Sequence, residues 1–166
     1  MYKRILKIDE KSKQSFFLFG PRGTGKTTWL KQNFKKAIYL DLLDAKLRRT
    51  LSATPEKLEQ YIPPGHKDWV ILDEVQKIPA LLNEVHRLIE NKKYRFILTG
   101  SSARSLRRKG VNLLAGRALT YYLHPLTNNE LNKDFSLLRS LKYGQMPMAY
   151  SSKKPEKFLS SYINTY

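Results

Sequence analysis

Cysteine is absent from all 166 residues, which excludes disulfides and thiolate metal sites at once. Long apolar runs are missing too. The longest, such as Phe16 to Phe19 or Val70 to Leu72, are far too short to cross a bilayer, so no membrane span is expected. Met1-Tyr2-Lys3-Arg4 is basic, but no apolar stretch of signal-peptide length follows it. Internal repeats and low-complexity linkers are lacking. The three histidines, His66, His86 and His124, form no ligand pattern with acids and read as structural or solvent-facing. Hydrophobic residues at 41% and charged residues at 27% describe one globular domain with a real core, and the expected location is the cytoplasm.

Acidic residues are the remaining scarcity. Lys and Arg number 31 against 14 Asp and Glu, a formal net charge of +17. Between Glu90 and Glu130 there is no acid, yet Lys92, Lys93, Arg95, Arg104, Arg107, Arg108, Lys109 and Arg117 fall there. One reading is attraction to a polyanion, either nucleic acid or an anionic membrane surface. The other is a solvated lysine-rich surface together with the positive potential that any phosphate site needs. No basic motif interleaved with aromatics accompanies the charge, which favours the second.

What is present is an alternation of short apolar strands and helical patterns. Strands are predicted over Ser15 to Phe19, Ala37 to Asp41, Trp69 to Asp73, Arg95 to Thr99 and Ala118 to Leu123. The fifth alternates Leu119, Tyr121 and Leu123 on one face. Helices are predicted from about Lys26 to Asn33, around Leu43 to Leu51 and Pro55 to Tyr61, and from about Pro79 to Glu90, with a basic irregular segment after the fourth strand. From Thr127 on the chain reads as helix and loop. Such alternation implies a parallel sheet covered on both sides. Trp29 and Trp69 read as packing residues. Pro155 to Tyr166 reads as an amphipathic helix, with Phe158, Leu159, Tyr162 and Ile163 as its stripe. It stops without a cap, as in a domain cut from a longer chain.

Gly20-Pro21-Arg22-Gly23-Thr24-Gly25-Lys26-Thr27, followed by Thr28, fits G-x-x-x-x-G-K-[ST] at every position. The chemistry needs these residue types. Glycines allow φ > 0 and close approach to phosphate, and successive amide N–H groups make an anion nest. The next helix adds its positive N-terminal dipole. Lys26 is expected to reach the β- and γ-phosphates, and the Thr27 hydroxyl to ligate Mg²⁺. By average residue usage about one chain in two hundred of this length shows the pattern by chance, so the flanking strand and helix carry the weight.

Trp69-Val70-Ile71-Leu72-Asp73-Glu74 is an apolar strand ending in two carboxylates, which are costly at a buried tip unless they meet a cation. Beside a phosphate loop, Asp73 is expected near the Mg²⁺ held by Thr27, and Glu74 is expected to orient or deprotonate the attacking water. A catalytic Glu beside a metal Asp suits ATP hydrolysis. The guanine-reading N-K-x-D is missing, since Asn132-Lys133-Asp134 lacks the intervening residue, so ATP is the expected nucleotide.

Phe96-Ile97-Leu98-Thr99-Gly100-Ser101-Ser102 ends an apolar strand in hydroxyl residues. In P-loop ATPases the fourth strand lies between the loop strand and the acidic strand, which places Thr99 or Ser101 near the γ-phosphate. Arg104, Arg107, Arg108 and Arg117 are the candidates for stabilising charge on the transferring phosphate. Arg22 occupies a variable position of the loop.

GPRGTGKTT, WVILDEVQK, RFILTGSSAR and NLLAGRALTYYLHPL together resemble a prokaryotic family of AAA-like ATPases, whose members join such a core to a C-terminal domain of unassigned function. The resemblance runs from the start to about Tyr150. It implies an α/β P-loop NTPase fold, a three-layer sandwich around a parallel five-stranded sheet of order 5-1-4-3-2. It supports Gly23, Gly25, Lys26 and Thr27 as phosphate and Mg²⁺ contacts, Asp73 and Glu74 as the acidic pair, and Thr99 to Ser102 as a sensor-like segment. Leu113-Leu114-Ala115-Gly116-Arg117 also matches a block of the family, which raises Arg117 above the other arginines.

The expected organisation is an ATPase core over residues 1–150, with 151–166 opening a helix that leads to a C-terminal domain. The leading expectation is a Mg²⁺-dependent ATPase that couples hydrolysis to a conformational change, helped by its missing domain or a neighbouring subunit. A nucleic-acid-binding switch of initiator type is the second reading. A small-molecule phosphotransferase with Arg107 and Arg108 as lid arginines is the third.

Overall fold

The computed structural model describes residues 2–9, 12–107 and 114–164. In chain order the strands are β1 (Ser15–Phe19), β2 (Ile38–Asp41), β3 (Trp69–Asp73), β4 (Arg95–Gly100) and β5 (Ala118–Tyr122). The helices are α1 (Lys26–Asn33), α2 (Ala45–Ala53), α3 (Leu81–Lys92), α4 (Ala103–Arg107), α5 (Asn128–Leu131), α6 (Leu137–Tyr143), α7 (Pro147–Ser151) and α8 (Pro155–Asn164). The chain divides into two compact units, Asp9–Gly20 with Lys26–Tyr122, and Met1–Ile8 with Pro21–Gly25 and Leu123–Tyr166.

The first unit carries the sheet. Its strands lie in the order β2-β3-β4-β1-β5, all parallel, which is the expected 5-1-4-3-2 read from the other edge. Parallel strands need both faces covered, and the side-chain alternation of β1 shows how that is met. Phe17 and Phe19 stack on one face at 5.3 Å between centroids, within a core of Leu40, Leu72, Leu98 and the apolar stripe Leu81, Leu82, Val85 and Leu88 of α3. Phe16, on the other face, touches the rings of Phe34, Trp69 and Tyr121 at 5.3–6.0 Å, and Trp29 of α1 closes on Phe34. Both tryptophans are therefore packing residues.

Local chemistry moves several element ends from their expected places. α2 begins at Ala45, two residues late, because the Asp44 carboxylate accepts the Leu47 N–H at 2.7 Å and caps the helix there. Pro55–Tyr61 is a 3₁₀ helix rather than an α-helix. α3 starts at Leu81, not Pro79, and runs on to Lys92, ended by Lys93 in a left-handed conformation (φ 57°). The segment after β4, read as irregular, contains α4. On β5, Tyr121 packs inward but Leu119 is exposed, as an edge strand permits.

The second unit holds a small core of Leu126, Leu131 and Tyr150 with Tyr2 and Phe135 against it. Its α5 is opened by a reciprocal capping box between Thr127 and Glu130. α8 forms where the amphipathic pattern places it.

Phe16→Ala is expected to lower unfolding free energy by about 3–5 kcal/mol, since it removes three ring contacts from a closed core. Leu119→Ala on the exposed edge is expected to change it by no more than about 0.5 kcal/mol. Urea denaturation of both variants measures the contrast.

Candidate functional site: the phosphate loop and the acidic strand tip

The sheet of the first unit delivers the acidic pair to one end. β3 is buried throughout, so Asp73 emerges where the strand stops. Its carboxylate is not left to water. Oδ2 accepts the Thr27 hydroxyl at 2.8 Å and the Tyr39 hydroxyl, and Oδ1 accepts the Thr99 hydroxyl. Three elements thus meet on one carboxylate: α1 through Thr27, β2 through Tyr39 and β4 through Thr99. The parallel register explains why, since Asp41 of β2 lies beside Asp73 and Leu98 of β4 lies beside Leu72.

Glu74 follows in a left-handed backbone conformation, φ 62° and ψ 45°, which costs a residue with a Cβ about 1–2 kcal/mol. Its amide donates to Thr99 Oγ1 at 3.1 Å, and its carboxylate accepts from Gln76 Nε2. Strain of this kind persists only where surrounding bonds hold it. Here the turn swings the Glu74 side chain away from that of Asp73, giving two adjacent acids different partners. Thr99, fully buried, accepts from one and donates to the other.

Lys26 opens α1 and is buried despite its charge, its ammonium donating to the Gly20 carbonyl at 2.6 Å. Thr28 beside it is exposed. Ser101 lies one residue past β4 and is half-buried. Gly100 is closely covered: a Cβ there meets Gln76 Oε1 at 2.7 Å, so a larger residue requires the Gln76 side chain to shift.

Tyr39 was not foreseen. Burial, then its hydrogen bond to Asp73, pushes its phenol well above the ordinary range. Only its place two residues before the end of a strand beside β3 could have signalled it. Gln76 was likewise missed, and its position two residues beyond Glu74 was the available signal.

The middle of the phosphate loop, Pro21–Gly25, belongs to the second unit. Gly23 and Gly25 take φ of 76° and 90°, the backbone that glycine alone adopts freely. The Thr24 hydroxyl closes the turn on the Pro21 carbonyl at 2.8 Å. Gly23 is also tightly overlaid, since a Cβ there meets Met146 Cε at 3.0 Å. Arg22 and Pro21 are exposed, and the Arg22 carbonyl accepts the Tyr162 hydroxyl at 3.1 Å.

Arg4 is the larger surprise, because a basic residue near a chain start carries no signal of its own. Its side chain is nearly buried and donates to the Thr24 carbonyl at 3.0 Å, to Glu130 at 3.0 Å and to the His124 carbonyl. Glu130 accepts in addition from the Ile5 and Thr127 amides at 2.8 and 3.0 Å. A fully engaged buried pair therefore anchors one side of the loop.

The structure does not bring Arg117 to this place. It pairs with Glu90 at the end of α3 and precedes β5, so it sits at the end of the sheet opposite Gly20 and Lys26. Arg104 lies exposed on α4. Arg108, Lys109 and Leu113, and the side chain of Arg107, lie outside the described residues. Asn132-Lys133-Asp134 forms a 3₁₀ turn in the second unit.

The sequence profile of a family described as an AAA domain matches residues 12–132. The chain belongs to that family. This AAA domain is also similar to chains in solved structures. The Aeropyrum pernix ORC1 protein in complex with DNA is 18% identical with a TM-score of 0.48, over 72% of this chain and 42% of that one. Drosophila ORC bound to DNA is 17% identical with a TM-score of 0.50, over 90% of this chain and 49% of that one. At such identity the likeness to Drosophila ORC concerns the fold alone, and the domain spans less than half the length of either neighbour. Among curated proteins none matches significantly. No described helix is long and apolar enough to cross a membrane.

Arg4→Ala is expected to lower stability by about 3–5 kcal/mol by stranding a buried carboxylate, and the Arg4→Ala/Glu130→Gln double variant to recover part of that loss. Thermal unfolding of the three proteins tests the coupling. Alkali gives a second check. The unfolded chain ionises Tyr39 near its ordinary value of about 10 while the folded chain keeps the proton, so stability falls as pH rises beyond that value. Tyr39→Phe is expected to flatten this alkaline decline.

Proposed function

We propose that this AAA domain binds ATP with Mg²⁺ and hydrolyses it. The observation that carries the reading is the 2.8 Å hydrogen bond between Thr27, the last residue of the phosphate loop motif, and Asp73, the acid at the tip of β3. Two hard oxygen donors from distant parts of the sequence converge beside Lys26.

These donors fit a magnesium ion. No group of three or more His, Cys, Asp or Glu suited to a metal occurs among the described residues. Mg²⁺ in nucleotide sites needs no such group, since phosphate and water complete a shell begun by one or two protein oxygens. Bound with ATP, it neutralises charge on the β- and γ-phosphates.

The chain's own residues supply the rest. Lys26 exchanges the Gly20 carbonyl for phosphate oxygen, and the loop amides from Gly20 to Thr28 hold the remaining charge, with Pro21, Arg22 and Thr24 shaping the turn. Asp73 and Thr27 hold the metal. Glu74, kept apart from Asp73 by its left-handed turn, takes a proton from the water whose oxygen attacks the γ-phosphorus as the bond to the bridging oxygen breaks. Thr99 links Asp73 to the Glu74 amide, so a change of ligand at Asp73 shifts the Glu74 turn and couples hydrolysis to conformation. Ser101, two residues beyond Thr99 and half-buried, is the second hydroxyl offered to the γ-phosphate. The paired state of Arg117 supports no role for it within its own chain. An ATPase core followed by a further C-terminal domain remains the organisation we propose.

Calorimetric titration with Mg²⁺·ATP tests the site. Lys26→Ala is expected to weaken binding by on the order of a hundredfold, the worth of one or two charge-assisted hydrogen bonds. Glu74→Gln is expected to bind within about twofold of the parent while turnover falls by on the order of 10²–10⁴. Undiminished turnover in Glu74→Gln removes Glu74 as the base.

A further inference from the structure

At the end of the sheet opposite the acidic tip lies an open cleft of about 1210 Å³. It spans the entry ends of three adjacent strands, β1, β4 and β3, roughly 16 Å from Asp73 by the rise of a five-residue strand. Lys13, Lys67, Lys92, Lys93 and Arg95 line it, against two carboxylates, Glu59 and Glu90.

Both carboxylates are already matched. Glu59 receives Arg87 at 2.5 Å and Lys92 at 3.2 Å, and Glu90 receives Arg117. Those contacts hold both acids below the usual carboxylate range, Glu59 chiefly through Arg87 and Glu90 chiefly through Arg117. Among the described residues no ion pair engages Lys13, Lys67 or Lys93. The cleft wall is also braced. Arg95 stacks over Trp69 at 4.8 Å and donates to the Ser12 carbonyl at 3.1 Å and the Lys67 carbonyl at 2.5 Å. It thereby ties down the two loops that carry Lys13 and Lys67. Lys93 holds a left-handed conformation that glycine would adopt at less cost, and it lines the same cleft.

We propose that this cleft is a nucleic-acid interface that contacts the phosphodiester backbone, with Lys13, Lys67 and Lys93 as its phosphate ligands. The volume exceeds the usual 300–1,000 Å³ of small-molecule sites, and its five Lys and Arg residues come from three separate stretches of sequence. The acid-free stretch from Asn91 to Asn129 begins here and contributes Lys92, Lys93 and Arg95 to the cleft. Contacts of this kind position a duplex without reading its sequence. This surface is separate from the nucleotide site and stands whether or not ATP is bound.

The test is the salt dependence of binding to a labelled mixed-sequence DNA duplex, followed by fluorescence anisotropy on the whole chain. The triple variant Lys13→Glu/Lys67→Glu/Lys93→Glu is compared with Lys153→Glu/Lys154→Glu/Lys157→Glu, three exposed lysines of the second unit with the same change in charge. The cleft variant is expected to bind at least about tenfold more weakly and to lose roughly 2–3 from the slope of log K against log salt, while the control keeps its slope within about 0.5. Lys93→Gly guards against a folding artefact. It is expected to keep or raise the melting temperature and still lose about one from the slope. Equal losses in the two triple variants, or an unchanged slope in Lys93→Gly, overturn the proposal. Competition by polyglutamate as strong as by DNA of equal charge overturns it in favour of an acidic polypeptide. Mg²⁺·ATP titration of the cleft variant keeps the two sites distinguishable, since DNA binding is read independently of it.

Discussion

Everything at the acidic end of the sheet is organised by one buried carboxylate. Asp73 needs partners because a desolvated charge is costly, and the fold supplies hydroxyls from α1, β2 and β4. A strand order that puts β3 between β2 and β4 is what makes this convergence available. Hydroxyl donors have a consequence that an arginine partner does not: they satisfy the carboxylate without neutralising it. The negative charge therefore stays available to a cation, while Tyr39 loses acidity through burial first and then through its hydrogen bond to that charge.

The two acids of the pair differ through backbone geometry more than through side-chain chemistry. An extended residue after Asp73 would continue the strand, alternating faces with it. The left-handed turn at Glu74 instead directs its amide to Thr99 and its carboxylate to Gln76. One hydroxyl, that of Thr99, is consequently shared between the pair, and it cannot change its bond to one acid without altering its bond to the other.

Legibility in the sequence followed the strength of the local signal. β1 and β3 have their expected limits because five buried residues are bounded by sharp chemical changes, Gly20-Pro21 after one and Asp73-Glu74 after the other. Thr27, Lys26 and Asp73 were legible because spacing and strand context specify them together. Thr99 was anticipated as a hydroxyl at a strand tip, though its bonds to both acids belong to the sheet and not to the strand. Arg4 and Tyr39 were illegible, since their importance arises from partners 126 and 34 residues away. The start of α2 was displaced by the side-chain cap at Asp44, which periodicity does not register. The acid-free stretch was visible as composition, but composition cannot say that Lys92, Lys93 and Arg95 reach one cleft while Arg104 does not.

The two ends of the sheet are joined by the same pair of strands. At its entry β3 is tied to β4 by Arg95, which stacks on Trp69 and holds the Lys67 carbonyl. At its exit β3 is tied to β4 by Thr99, which bonds Asp73 and the Glu74 amide. Between these ties every residue of β3 is buried, and most are paired to both neighbours, so the strand transmits position without sliding. A ligand at either end alters the other only if it favours one arrangement of that β3–β4 pair over another. The Arg95 and Thr99 ties thus act on one strand pair, β3 and β4, whose opposite ends carry the basic cleft and the acidic tip.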